Sequence, residues 1–443
     1  MTSCRSILAL VWPLAFGMVN NAVMQFVDRV YLARCSMQAL EAVLPASILA
    51  GLFICFFQSA VGYAGVFVAQ YHGAGEAGKC RASFLAGLAL SFGFLAVTPF
   101  LVWIGNLVLA AAASSAELAA LERSYYDIVM FGGVFLCAQT AAAAYFTGRG
   151  LTRVVFWTGF AGNLLNIALD PILIFGWWRL PALGIAGAAW ATSLSMLVQF
   201  LLLLLALRRD RSSRCAGVSL PEVGRLAVRI ARFGVPAACQ SVLNLLAFAI
   251  FVFVTGGVGD VEMAVSNAAF TVNYLLIAPM EGFALGASTL VAQAQGRGDH
   301  ETAAHDAHLT LALGVGLVAV LSLATVVFAH PILSAFAPDD AVAAASFHAL
   351  GFRLFVTMAA WQVFDAAEII LSGALKGAGD TRFVMGWTLF GSFLLWLPLV
   401  FAVRAWHNTM GALWATLVVC VLVLCVGTCW RWRCGAWREI RLL

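Results

Sequence analysis

The chain has 443 residues, of which 63% are hydrophobic and 10% are charged, and its formal net charge at pH 7 is +4. With a mean hydropathy of +0.95, it has too few polar side chains to cover a water-soluble globule of this length. The composition excludes a soluble domain, gives no reason to expect a nucleic-acid partner, and predicts an all-α integral membrane protein in a lipid bilayer.

Twelve apolar segments follow one another along the chain, and each can cross a hydrocarbon core of about 30 Å as a helix of about 20 residues. We predict spans 1 to 12 at 6–33, 43–71, 82–111, 120–147, 154–176, 184–207, 224–256, 264–295, 302–328, 343–375, 383–403 and 408–430. Span 1 carries the polar residues Asn20, Asn21 and Asp28. We therefore expect it to stay in the mature protein and not to be cleaved as a signal peptide.

The second half of the chain repeats the first half. Residues 13–70 correspond to residues 236–293 at a constant offset of 223, and both stretches are almost wholly apolar. They end in similar sequences, VAQYHGAGE and VAQAQGRGD, and the repeat returns later as GRGLTR and GAGDTR. Two related bundles in one chain are typical of a transporter, because the pathway can lie between them.

The repeat divides the chain at its longest polar run. We predict an N-terminal six-helix bundle at 1–210, a cytoplasmic linker at 211–223, and a pseudo-symmetric C-terminal six-helix bundle at 224–443 that ends in a short cytoplasmic tail. The linker is rich in Arg and is closed by Pro221.

Basic residues are distributed unevenly among the connections between spans. Of the 25 Lys and Arg residues, 19 fall at the N-terminus, in or beside even-numbered connections, or in the C-terminal tail. Because Lys and Arg concentrate on the cytoplasmic side, we predict a multi-pass protein of the bacterial inner membrane with both termini in the cytoplasm. Trp177, Trp178, Trp432 and Trp437 lie at predicted span ends, where indole rings commonly anchor at the membrane interface.

Glycine pairs follow four of the spans. They are Gly73/Gly75, Gly148/Gly150, Gly296/Gly298 and Gly377/Gly379. No predicted strand precedes them and no GK[ST] follows, so they do not form a nucleotide-binding loop. We interpret them as tight turns in which glycine supplies a positive φ. Without a nucleotide motif, we expect coupling to an ion gradient.

Five acidic residues lie well inside predicted spans, where a charged carboxylate costs at least about 2.5 kcal/mol. They are Asp28, Asp170, Glu281, Asp365 and Glu368. Each acid either forms a structural hydrogen bond with a neighbouring amide or Arg, or is a functional group. A functional role is the usual interpretation of an intramembrane acid. The sequence leaves both interpretations open.

Spacing favours a site in the first half. Asn163, Asn166 and Asp170 recur at i, i+3 and i+7, which places them on one face of span 5. Joined by Asp28 from span 1 and Thr192 from span 6, they would offer oxygen atoms to Na⁺ or hold a proton between carboxylates. We expect no catalytic residue, no cofactor, and no metal site beyond this one.

A second group of polar residues lies in the other half. Asp365 and Glu368 are three residues apart on one face of span 10, and Asn244 of span 7 and Glu281 of span 8 are candidates to face them. At repeat-related positions the acids of the two halves differ. We therefore expect the two halves of the chain to have different functions.

These motifs resemble the multidrug and toxic compound extrusion (MATE) family over essentially the whole chain. Besides the two VAQ sequences, NLLNIALD lies in span 5, GIAGAAWAT opens span 6, FGVP opens span 7, and DAAEIILSGALKGAGDTR covers the end of span 10. The resemblance implies two six-helix bundles that form an outward-open V. It also implies export of an organic, often cationic, compound in exchange for Na⁺ or H⁺.

The resemblance also implies roles for particular residues. The family's N-terminal cation or proton site would comprise Asp28, Asn166, Asp170 and Thr192, and Asp365 would be the carboxylate of the second half. The sequence departs from one branch of the family in having Asn244 where a glutamate would complete a second cation site. Glu281 and Glu368 are candidates to supply the missing charge.

The leading hypothesis is a secondary antiporter that acts as a monomer on small organic substrates and is not an enzyme. The alternative is a lipid-linked precursor flippase of the same superfamily, which would need a cationic cavity, whereas the spans offer acids. A membrane enzyme would need a nucleophile or metal cluster, and a channel would usually be a repeated subunit. The sequence shows neither signature.

Overall fold

The computed structural model describes residues 3–35, 37–113, 115–177, 181–210, 218–337 and 341–442, which are predominantly helical. In chain order the helices are α1 (Cys4–Cys35), α2 (Met37–Gly62), α3 (Ala64–Gly73), α4 (Ala77–Ala112), α5 (Ala116–Gly148), α6 (Thr152–Phe175), α7 (Ile185–Arg209), α8 (Leu220–Thr255), α9 (Asp260–Gly296), α10 (His300–Val327), α11 (Ala329–Ser334), α12 (Ala341–Gly377), α13 (Thr381–Leu389), α14 (Leu397–His407) and α15 (Met410–Arg433). A π-helical segment, Phe390–Trp396, joins α13 to α14, and a 3₁₀ turn, Ala436–Glu439, follows α15.

Twelve stretches of this helical structure are long and apolar enough to cross a membrane, within the part of the chain that is described. Helices α2 and α3 together make one of them, and α13, the π-helical segment and α14 together make another. The prediction of an all-α membrane protein with twelve spans is therefore confirmed.

The glycine pairs form the turns expected of them. Gly75, Gly150, Gly298 and Gly379, the second members of the pairs, all have positive φ, between 74° and 96°. The first members of the pairs allow helices to pack closely, as Gly148 shows. A Cβ built on Gly148 would lie 2.6 Å from the Gly65 carbonyl oxygen, so α5 crosses α3 at a distance that only glycine permits.

The chain forms two compact units. The N unit comprises Phe16–Ser241 and Ala292–Gly298, and the C unit comprises the chain up to Ala15, Val242–Val291 and the chain from Asp299 onward. Part of α1 belongs to the C unit because it packs closely on α9, where a Cβ on Gly282 would overlap the backbone of Ala15.

The predicted linker coincides only in part with described structure. Residues 211–217 lie outside the described residues, and α8 already begins at Leu220. Its first turn is hydrogen-bonded, since the Ser219 carbonyl accepts from the backbone N–H groups of Glu222 and Val223 at 3.1 Å. Pro221 fits a first helical turn, where its missing N–H has no partner to lose. The halves at 1–210 and 224–443 remain a prediction.

Each unit has its own apolar core. In the N unit, Tyr126 is fully buried and donates its hydroxyl to the Leu101 carbonyl at 3.0 Å. The core of the C unit is aromatic, and the indole of Trp414 stacks between Trp361 and Phe270. The Trp414 N–H donates to the Ser266 hydroxyl at 3.0 Å, so this buried polar group is satisfied.

The C-terminal tail folds back on the C unit. Trp432 and Trp437 are buried and stack with their ring centroids 4.4 Å apart, and Trp432 donates to Nε2 of His308 at 3.1 Å. The expectation that these two indoles anchor at the interface was wrong, because the 3₁₀ turn after α15 returns Trp437 to the interior. Trp177 is exposed, and Trp178 lies outside the described residues.

Candidate functional site

The polar face of α6 points into the N unit. Asn163, Asn166 and Asp170 are 5%, 0% and 0% exposed, while the opposite side of the helix presents Trp157 and Leu164 outward. The i, i+3, i+7 spacing thus places the three polar groups together on the buried side. An apolar helix that buries its polar residues and exposes its hydrophobic ones is arranged for contact with lipid.

Asn166 joins Asp28 to this face. The side-chain amide of Asn166 is oriented so that both its nitrogen and its oxygen form hydrogen bonds. Asn166 donates from Nδ2 to Oδ1 of Asp28 at 2.8 Å and accepts from the backbone N–H of Thr192 at 3.3 Å. The Thr192 hydroxyl donates to the Ala188 carbonyl in its own helix at 3.0 Å. Residues from α1, α6 and α7 therefore meet at one point in the N unit.

The centre of the site is a pair of carboxyl groups. Asp170 approaches Asp28 within hydrogen-bonding reach, and its two oxygens have no other hydrogen-bond partner among the described residues. Asp28 has no ion pair in the described structure, although Arg29 lies within electrostatic range. Two ionised carboxylates have only acceptor atoms and repel each other. The pair is therefore arranged to hold a proton or a small cation between its oxygens.

Tyr125 and Ser47, which the sequence did not identify as site residues, lie beside the carboxyl pair. Tyr125 of α5 is hydrogen-bonded with Ser47 of α2 and lies within electrostatic range of both Asp28 and Asp170. A tyrosine among many aromatic residues in apolar helices gives no periodic signal that distinguishes it from a packing residue. Its position became visible only in the packed bundle.

An amide chain continues from the same face. Gln139 of α5 donates to Gln199 of α7 at 3.0 Å, and Gln199 donates to Oδ1 of Asn163 at 3.3 Å. Gly162 makes room for this chain, since a Cβ there would overlap the Gln199 side chain. The only available sequence signal for Gln199 was an amide deep within an apolar span.

The candidate residues of the C unit are only partly brought together. Asp365 lies within electrostatic range of Glu368 and Glu281, and Glu368 accepts from the Ser372 hydroxyl at 2.7 Å. Lys376, two turns further along α12, attracts Glu368. Three acids of α9 and α12 therefore share one region of negative potential.

Asn244 does not join these acids through any hydrogen bond among the described residues. It is exposed on α8, as Glu281 is on α9. Asp365 and Glu368 are half-buried. The two units thus present different sites: a carboxyl pair with a fully buried Asp170 and an amide partner in the N unit, and an acidic cluster with an exposed Glu281 in the C unit.

The fold and these sites define a class, a multi-pass α-helical membrane protein with acids inside its spans. The sequence profile of the MatE family matches residues 13–172 and 236–402, so the chain belongs to the MatE family. The resemblance seen in the sequence motifs is thereby confirmed.

Individual relatives agree with this assignment. The chain is 28% identical over 459 residues to the multidrug resistance protein PmpM of Pseudomonas aeruginosa, which covers 99% of this chain and 92% of the relative. It is 27% identical over 411 residues to the multidrug resistance protein NorM of Vibrio vulnificus, covering 89% and 86%. A crystal structure of MATE in complex with MaL6 has a similar fold, with a TM-score of 0.86, 20% identity, and coverage of 99% and 97%.

Proposed function

We propose that the chain is a secondary antiporter that exports small organic compounds, cationic or amphipathic, in exchange for H⁺ or Na⁺ by alternating access. Family membership and the multidrug resistance relatives support export. The observation that carries ion coupling is the Asp28–Asp170 pair, in which Asp170 is fully buried and its oxygens have no other hydrogen-bond partner among the described residues. The protein acts as a monomer in the bacterial inner membrane, with both termini cytoplasmic, and catalyses no bond-breaking reaction.

The carboxyl pair supplies the coupling through its charge. With no proton or cation bound, the two carboxylates repel, and Asp170 is buried without compensation. One proton, or one Na⁺ held by oxygens of Asp28, Asp170 and Asn166, removes this cost. A ligand drives a conformational change only when it binds one state better than another. The buried arrangement of the N unit is therefore the state that the bound ion stabilises.

The acidic cluster of the C unit has a separate role in this scheme. Asp365, Glu368 and Glu281 create a negative potential that attracts an organic cation or a second coupling ion. Because Glu281 is exposed and Asp365 is half-buried, the cluster is accessible to a ligand larger than a proton. The flippase alternative finds no support in the comparisons.

Transport by the purified protein tests this function. Proteoliposomes receive either a H⁺ gradient or a Na⁺ gradient, and the movement of ethidium, a fluorescent organic cation, is followed. We expect one gradient to drive transport and Asp170→Asn to abolish it, while Asp127→Asn, in an acid paired with Asn106 and Arg123, transports normally. If folded protein moves no organic cation under either gradient, the antiporter proposal is wrong.

A further inference from the structure

Two cysteines face each other on the last turns of α15. The Sγ atoms of Cys425 and Cys429 lie 4.0 Å apart, and both residues belong to the C unit. Other buried thiols are directed at backbone carbonyl groups, as Cys420 is toward the Gly391 carbonyl at 3.7 Å. Such cysteines behave as small packing residues. The Cys425–Cys429 pair is different, because each thiol has the other thiol as its partner.

The helix prevents the two thiols from joining as an unstrained disulfide. Side chains four residues apart on a helix have Cβ atoms about 5–6 Å apart, whereas a disulfide needs Cβ atoms about 3.5–4.5 Å apart. Trp387 of α13 holds this part of α15 in place. Its indole N–H donates to the Leu424 carbonyl at 3.1 Å, and a Cβ on Gly427 would overlap its ring. The pair therefore stays a dithiol.

The spacing of the sulfur atoms fits an ion bound between them. A bond from a thiolate to a first-row d¹⁰ ion such as Zn²⁺ is about 2.3 Å long, so two collinear bonds reach about 4.6 Å. A separation of 4.0 Å allows both bonds at an open angle without movement of the helix. Zinc itself takes four ligands, and among the described residues no group of three or more His, Cys, Asp and Glu could hold a metal. The pair therefore favours a soft ion that is satisfied by two thiolates, and Cu⁺ is such an ion.

The charges and the exposure around the pair suit a monovalent cation. Two thiolates and one Cu⁺ carry one net negative charge, and the positive charge of Arg433, one turn beyond Cys429, lies within electrostatic range. Glu368 is within range of both thiols, and its negative potential attracts a cation. Cys425 is 7% exposed and Cys429 is half-buried. An ion can therefore enter past Cys429 and be held beside Cys425.

We propose that Cys425 and Cys429 form a binding site for a soft monovalent cation, and that Cu⁺ is the ion that fits it best. Each thiol releases its proton to water as its sulfur bonds to the ion, and the ion keeps its oxidation state. The sequence led us to expect no such site, because two cysteines four residues apart in an apolar span also fit two packing residues. Binding requires neither transport nor the acids of the N unit, so this inference is independent of the proposed function.

Competition for Cu⁺ tests the site. Purified protein in detergent is titrated with Cu⁺, kept reduced by ascorbate without oxygen, against the chromogenic chelator bathocuproine disulfonate. We expect Cys425→Ser/Cys429→Ser to bind Cu⁺ at least about 100-fold more weakly than the native protein, since loss of a group that only orients a metal ligand already costs about 10- to 100-fold. The control Cys4→Ser/Cys434→Ser removes two exposed thiols and should keep the native affinity. Equal affinities in all three proteins, or no Cu⁺ held by the native protein, would overturn the proposal.

A second measurement needs no substitution in the pair, so it stands even if the double variant fails to fold. X-ray absorption at the copper edge identifies the ligands in native protein loaded with an equimolar amount of Cu⁺. We expect two sulfur ligands, supplied by Cys425 and Cys429. The same spectrum should come from Cys4→Ser/Cys434→Ser, because neither residue belongs to the pair. Coordination of Cu⁺ by nitrogen or oxygen alone would contradict the site.

Discussion

Gln199 donates from Nε2 to Oδ1 of Asn163 at 3.3 Å, and both side chains are buried. The bond links α7 to the helix that carries Asp170, one turn before Asn166. It therefore fixes the rotation of α6 that directs Asn166 and Asp170 toward Asp28. The carboxyl pair depends on an amide that touches neither acid.

Replacing that amide should therefore affect both stability and coupling. Gln199→Leu leaves the Asn163 carbonyl oxygen and the Gln139 amide without these partners inside the N unit. We expect a stability loss of about 1–3 kcal/mol for the unsatisfied groups, measured by thermal unfolding, and slower gradient-driven transport. In Gln199→Leu/Asn163→Leu the losses should be less than additive. Strict additivity would show that the bond contributes nothing.

The carboxyl pair gives the sharpest functional prediction. Asp28→Asn and Asp170→Asn should each abolish gradient-driven export while leaving the protein folded and inserted. The amide keeps the size of the carboxyl group but can neither take up a proton nor neutralise a cation. Transport in proteoliposomes and gel-filtration profiles in detergent measure the two properties. Wild-type export by either variant would remove that acid from the coupling site.

Substitutions of the two α12 acids in the C unit should reduce transport to different extents. Asp365→Asn removes a charge that lies among Glu368 and Glu281, so the protonation state of the cluster should vary less with pH. We expect strongly weakened transport and a flatter pH profile. Glu368→Gln should cause a milder loss, since Glu368 is already stabilised by Ser372 and Lys376. A normal transport rate and a normal pH profile for Asp365→Asn would show that Asp365 has only a structural role.

Burial should decide which ion pairs matter for stability. Asp380 is 5% exposed and accepts from Nε of Arg431 at 2.7 Å. Arg431→Gln leaves this carboxylate without its cation, so we expect a loss of about 1.5–3 kcal/mol, the range for hydrogen bonds to charged groups. The matched pair is Lys79–Glu76, whose side chains are 44% and 41% exposed. Lys79→Gln should cost about 0–1 kcal/mol. Thermal unfolding in detergent compares the two variants, and equal losses would contradict this order.

The orientation of the chain can be measured with two exposed positions. Glu117 lies at the start of α5 and Arg153 at the start of α6. From the distribution of Lys and Arg, we expect an impermeant thiol reagent to label Glu117→Cys in intact cells. Arg153→Cys should be labelled only after the membrane is opened. The reverse pattern would invert the predicted topology.

The sequence predicted the face of a helix well but not what lies opposite that face. Periodicity placed Asn163, Asn166 and Asp170 together, because side chains three, four and seven residues apart share one side of a helix. It could not show that Tyr125 and Gln199 approach that side from other helices. Nor could it show that Asn244 makes no hydrogen bond among the described residues.

The sequence by itself determined the twelve spans and the internal repeat, because a hydrocarbon core requires long apolar helices whatever their neighbours. It also determined the positive-φ turns, since glycine adopts that conformation at no steric cost. Only the tertiary structure decided the pairings: Asp28 with Asp170, Trp437 in the interior, and Gly148 on Gly65. Such pairings depend on how helices rotate and cross, and a rotation of part of a turn exchanges one partner for another without altering any local sequence preference.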